Sequence, residues 1–160
     1  MADDDFVETA FVMYEAGSAL LQVQSRSACY LLGYVAECTL KAAALAALTT
    51  ASNHALSEKE AKACLRNFVS HELERLSVLH RLLVLTPSAR ARRIAPLERL
   101  VPTMSRRLPL SGGGDKFQEH WHPNHRYDGT RWDVPTSMVY AVEANRLLTL
   151  LAELRLDGVL

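Results

Sequence analysis

Glu37 and Lys41 are the only charged residues between Ala28 and Leu45, in a stretch otherwise rich in Ala, Leu, Cys and Tyr. On a helix the two lie four residues apart, in the Glu-then-Lys order that favours contact, and share a face with Tyr30, Gly33 and Tyr34. On an exposed strip such a pair contributes only about 0.3 to 0.5 kcal/mol. A helix apolar all round is a buried helix, however, and a charge is kept there only when it is paired and hydrogen-bonded. The stretch therefore reads as a central helix carrying either a surface pair or one wall of a polar pocket.

Two other clusters have chemical potential. Arg90, Arg92, Arg93, Arg99, Arg106 and Arg107 form a basic run opposed only by Glu98. Such a run can follow a phosphate backbone, or it can be a solvated helix face. It contains no interleaved aromatics on which single-stranded bases would stack. His120, His122 and His125 lie near Glu119. Their spacing matches no helical ligand pair and no cysteine joins them, so no metal and no cofactor is expected.

The segment Tyr30-Leu31-Leu32-Gly33-Tyr34-Val35-Ala36-Glu37-Cys38-Thr39-Leu40-Lys41-Ala42 resembles the second helix of prokaryotic HEPN domains, in the branch with the pattern Y-L-x-G-Y-x-x-E-x-x-L-K-A. His71-Glu72-Leu73-Glu74-Arg75-Leu76 is similar to the H-[DE]-L-x-x-L element of that branch. The stretch from Trp121 to Tyr127 is similar to its W-x-x-x-x-R-Y element. The resemblance implies a helical bundle and a connection to nucleotides, RNA and prokaryotic conflict systems. It also groups Glu37 and Lys41 with His71, Trp121, Arg126 and Tyr127. There, Arg126 would hold Glu37 or an external phosphate bidentately. The plainer reading is that Arg126 and Trp121 staple their loop to the bundle through Glu37.

Arg66-Asn67-Phe68-Val69-Ser70-His71 also fits the R-x(4 to 6)-H signature of HEPN ribonucleases, whose site forms across a dimer. In that chemistry His71 would act on the 2'-hydroxyl or the leaving oxygen, Arg66 would stabilise charge on the phosphate, and Asn67 is the polar residue that often follows the Arg. Against this, residues five apart on one continuous helix lie about 140° apart, and the branch pattern assigns His71 to another element.

The elements that must position these residues follow from the whole chain. Its 160 residues, 49% of them hydrophobic, suit one globular domain with a real core. Net charge is zero, so attraction to nucleic acid or membrane has to be local. Cys29, Cys38 and Cys64 make no metal or disulfide pattern and read as buried thiols in a reducing compartment. The acidic start at Asp3 to Asp5 is unlike a signal peptide, and Glu37 and Lys41 argue against a membrane span.

Helical periodicity predicts a first helix carrying Phe6, Ala10, Met13, Ala16/Gly17 and Leu20/Leu21. A break near Gln24 to Ser27 follows, with Ser25 and Ser27 as caps for the central helix, which fades through Thr49 to Asn53. Ser57 and Glu60 form a capping box. Apolar periodicity continues to Leu85 as one helix or two. A further helix from Ser88 to Leu108 is interrupted by Pro96 and Pro102. A long loop through Gly112 to Trp132 precedes a last helix opened by Asp133-Val134-Pro135 and closed by Asp157-Gly158. The expectation is an all-α, single HEPN-like bundle of about five helices over residues 1–160, cytoplasmic and homodimeric. Its expected role is RNA- or nucleotide-related binding beside a nucleotidyltransferase or another conflict-system protein. A metal-independent endoribonuclease is the alternative, and a protein-binding scaffold the second.

Overall fold

Asp5 starts the first helix by accepting the amide hydrogens of Val7 and Glu8 on its carboxylate, at 3.0 Å each. The computed structural model describes residues 5–50, 56–68, 108–109, 117–118, 121 and 132–160. Four helices lie among them: α1 over Phe6–Ala19, α2 over Ser25–Thr50, α3 over Glu58–Phe68 and α4 over Val134–Leu156. The described fold is all-α but for an antiparallel pair of two-residue strands, β1 (Leu108–Pro109) and β2 (Phe117–Gln118), with Leu108 opposite Gln118.

α2 is the axis of the bundle and packs against α1, α3 and α4, while α1 also reaches α4. Buried residues wrap most of its circumference: Leu32, Val35, Ala36, Leu40, Ala43 and Ala44, at or near zero exposure, take up about half of it, and Cys38, Ala42 and Glu37 extend the buried arc on either side. By length and composition α2 could cross a membrane, yet 67% of its apolar window is buried inside the protein, the pattern of a core helix. Thr39 and Thr49 are accommodated by donating their hydroxyls back to the carbonyls of Val35 and Leu45, at 2.7 and 2.9 Å.

The predicted boundaries hold where a side chain fixes them. Ser57 and Glu60 bond reciprocally, Ser57 N to Glu60 Oε2 at 2.9 Å and Glu60 N to Ser57 Oγ at 3.4 Å, and α3 begins at Glu58. Asp133 accepts the Thr136 amide at 2.9 Å to open α4, and Gly158, with φ of +66°, follows its end in the left-handed conformation.

Three local expectations are corrected. The turn between α1 and α2 lies at Leu20 to Gln24, earlier than expected, because Leu20 and Leu21 stay half-buried against the core after the helix has ended. Ser25 and Ser27 do not cap α2: Ser25 Oγ donates to the Trp132 carbonyl at 2.7 Å and Ser27 Oγ to Gln24 Oε1 at 3.2 Å. Ser25 thus ties the start of α2 to the segment leading into α4. Leu108, expected at the end of a helix, is extended, since a following proline pushes a residue out of the helical region. The expected helix from residue 88, and the choice between one helix and two up to Leu85, fall on residues outside those described.

α4 buries Ser137, Tyr140, Ala144, Leu147, Leu151 and Leu154, a repeat of three and four that lays one face on the core. Ser137 is satisfied within its own turn by the Val134 carbonyl at 2.8 Å. Cys29 and Cys38 are buried free thiols as expected, whereas Cys64 on α3 is only half-buried.

Candidate functional site

The middle of α2 positions the charged pair. Glu37 is 2% exposed, and its Oε1 accepts from Lys41 Nζ at 2.5 Å, one helical turn away. The Lys41 ammonium also lies 5.8 Å from the centroid of the Phe6 ring at the start of α1, within cation–π range. Both charges are thus held in place, the anion by the cation and the cation partly by an aromatic face. The reading of a surface pair gives way here to that of a buried one.

One turn toward the start of α2 the wall becomes aromatic. Tyr30 and Tyr34 meet edge to face at 5.2 Å between centroids, with their hydroxyls 3.4 Å apart. Tyr34 in turn meets the Trp121 indole edge to face at 4.9 Å. Burial raises the Tyr34 phenol well above its ordinary range, reinforced by its contact with the Tyr30 hydroxyl and by the nearby Glu37 charge. It therefore stays protonated and can act as a donor, never as a phenolate base near neutral pH.

Trp121 is fully buried, although it belongs to the segment between β2 and α4. Its indole sits against the backbone of Gly33, where a Cβ would collide with Nε1, Cε2 and Cδ1. A glycine in the middle of a helix costs about 1 kcal/mol and so predicts a close approach, which between packed helices is ordinarily that of another helix. The partner is instead a loop tryptophan, and the helix–helix approach falls on Gly17, whose missing Cβ would lie 2.9 Å from Leu32 Cγ. The Trp121 Nε1 is buried and finds no hydrogen-bond acceptor among the described residues.

Beside Tyr30 the first two turns of α2 open into a cavity of about 450 Å3, lined by Arg26, Ser27, Tyr30 and Leu31. In the sequence Arg26 and Ser27 stand out only as part of a helix boundary. The i, i+4 spacing of Arg26 with Tyr30 was the available signal. A second feature missed is the group around Tyr140, which is fully buried, packs edge to face on Trp132 at 5.2 Å, and whose hydroxyl is unpaired among the described residues. Burial raises its phenol, aided by the neighbouring Cys29 and Glu143, and burial likewise pushes the Cys29 thiol up to about 12. Neither is a nucleophile at neutral pH.

Of the residues singled out from sequence, Glu37, Lys41 and Trp121 are brought to one region of α2. Arg66 is exposed on the last turn of α3, with Asn67 next to it in the same helix. His71, Arg126, Tyr127, the six arginines from Arg90 to Arg107 and the three loop histidines lie outside the described residues. No protein-family model matches the chain, and neither does any curated protein or solved structure.

Proposed function

We propose that the chain is a HEPN-like accessory module that binds RNA or a nucleotide within a prokaryotic defence or toxin–antitoxin system, in the cytoplasm and as a homodimer. The sequence resemblance supports the family part of this reading. The observation that carries the binding part is the cavity at Arg26, Ser27, Tyr30 and Leu31, about two helical turns before the Glu37–Lys41 pair, with the Tyr30 ring in contact with Tyr34 and Tyr34 in contact with Trp121. A tyrosine ring accepts any base by stacking, and a guanidinium one turn away suits a phosphate. The buried pair gives the same face a fixed polar end. Arg126, through the motif match, would add a second guanidinium, and a nucleotidyltransferase or another conflict-system protein would be the partner served.

The test is retention of labelled RNA and of ATP by the purified chain at increasing salt. The expected result is salt-sensitive binding that weakens on Tyr30→Ala, by about 1 to 3 kcal/mol for one stacked base, and on neutralising the arginines from Arg90 to Arg107. No cleavage of RNA is expected. Cleavage that survives excess chelator and disappears in His71→Ala would replace this reading with the endoribonuclease built on Arg66 and His71. Absence of both binding and cleavage would leave the protein-binding scaffold.

A further inference from the structure

We propose that two copies of this chain meet through the outer face of α4, so that the homodimer of the proposed function, on which this inference rests, is built on that helix. The inner face of α4 lies on the core through Tyr140, Ala144, Leu147, Leu151 and Leu154. Its outer face is apolar as well: Met138 is 58% and Val142 53% exposed, with Val134 and Val139 exposed beside them. Of the eight large hydrophobic side chains exposed among the described residues, these four and Leu156 stand on α4. A surface helix is ordinarily polar on the side away from the core, whereas a helix apolar on opposite sides is covered on both. A contiguous apolar patch of this kind marks an interaction site.

The pattern of the patch suits a copy of itself. Val134, Met138 and Val142 follow one another at intervals of four and form a ridge, and exposed Pro135 and Val139 form a second ridge beside it. The groove between the two accepts the same ridge of another helix, a packing that crosses the helices at about −50°. A twofold axis at Met138 lays Met138 on its own counterpart and Val134 on the Val142 of the other copy, so one patch supplies both sides of the contact. Charge then sets the direction. Asp133 stands just before the ridge and Arg146 one turn beyond it, both exposed, and Arg146 makes no ion pair among the described residues. Antiparallel helices bring Asp133 of each copy toward Arg146 of the other, whereas parallel ones would set Arg146 against Arg146. The chain carries no net charge, so two copies do not repel each other at long range.

The experiment is sedimentation equilibrium of the full chain over a concentration series, which should show a reversible dimer. Met138→Glu sets two carboxylates together at the axis and should weaken dimerisation about a hundredfold or more, with the helical circular dichroism unchanged. Arg146→Glu and Asp133→Arg should each weaken it about tenfold, and an equimolar mixture of the two should recover it, because every charge at the contact then faces an opposite one. In a Cys64→Ser background, Met138→Cys should form an interchain disulfide on mild oxidation, since side chains at the axis are adjacent to their own counterparts, and Leu156→Cys should not. Should Met138→Glu fail to fold, the cross-link decides the matter. A chain that stays monomeric at every concentration would overturn this proposal together with the homodimer of the proposed function. A dimer that withstands Met138→Glu, or that cross-links through Leu156→Cys and not through Met138→Cys, would overturn the α4 contact alone and leave that homodimer standing.

Discussion

The indole of Trp121 rests on the backbone of Gly33, so the close approach that the glycine permits joins a loop residue, far along the chain, to the middle of the central helix. Gly33→Ala tests this contact. In an exposed helix the change would stabilise by about 1 kcal/mol. Here the added methyl must displace the indole, and the expected outcome is net destabilisation of about 1 to 3 kcal/mol with red-shifted tryptophan emission. Urea unfolding followed by fluorescence measures both. A more stable variant with unchanged emission would show that the indole does not occupy this place.

The Glu37–Lys41 pair should be coupled beyond the strength of a surface pair. Removing the charge of Glu37 alone leaves an ammonium with little access to water, whereas removing both leaves no buried charge. In a double-mutant cycle on Glu37→Gln and Lys41→Met, the expected coupling is about 1 to 3 kcal/mol. A second cycle, on Glu37→Gln and Arg126→Ala, asks whether the loop guanidinium shares this site, and a coupling near zero would separate them.

Tyr140→Phe should not destabilise the protein. The hydroxyl is buried and unpaired among the described residues, so its removal deletes a desolvated polar group while the ring keeps its contact with Trp132. The expected thermal midpoint is equal to or above that of the wild type. A loss of more than about 1 kcal/mol would reveal a hydrogen bond to this hydroxyl.

The cap at Asp133 predicts a pH dependence. Its hydrogen bonds with Thr136 hold the carboxyl below its ordinary value of 3.8. A depressed folded-state pKa contributes stability that is present above the unfolded value and lost as pH falls through the folded one. The difference in stability between wild type and Asp133→Asn should therefore be constant near neutrality, shrink below about pH 4, and be reduced by salt because the carboxylate is exposed. Asp133→Ala, which removes the cap altogether, should cost about 0.5 to 2 kcal/mol. Denaturation curves at several pH values check both.

The three thiols should react unequally. Cys29 is buried with its thiol pushed up to about 12, Cys38 is buried, and Cys64 is half-buried on α3. Alkylation of the native protein at pH 8 should modify one cysteine, identified as Cys64 by mass spectrometry, with the other two reacting only in denaturant.

Sequence alone determined the features that depend on a few neighbouring residues. Ser57 with Glu60, and Asp133, mark helix starts because a cap is a contact over two or three residues, and the largely apolar periphery of α2 marks it as central because burial must match composition. The Glu37–Lys41 contact was legible for the same reason, being one turn of a single helix. What only the tertiary structure decided are relations between segments distant in sequence. Gly33 announced a close approach without naming Trp121 as the partner, and Lys41 gave no sign of Phe6 beneath it. Ser25 and Ser27 show the limit from the other side. Each has the right residue type for a cap, but one hydroxyl reaches the Trp132 carbonyl more than a hundred residues away and the other binds Gln24, because a hydroxyl takes the best acceptor that packing brings within reach. Local periodicity fixes which face of a helix is apolar; the choice of what covers that face belongs to the packing of the whole chain.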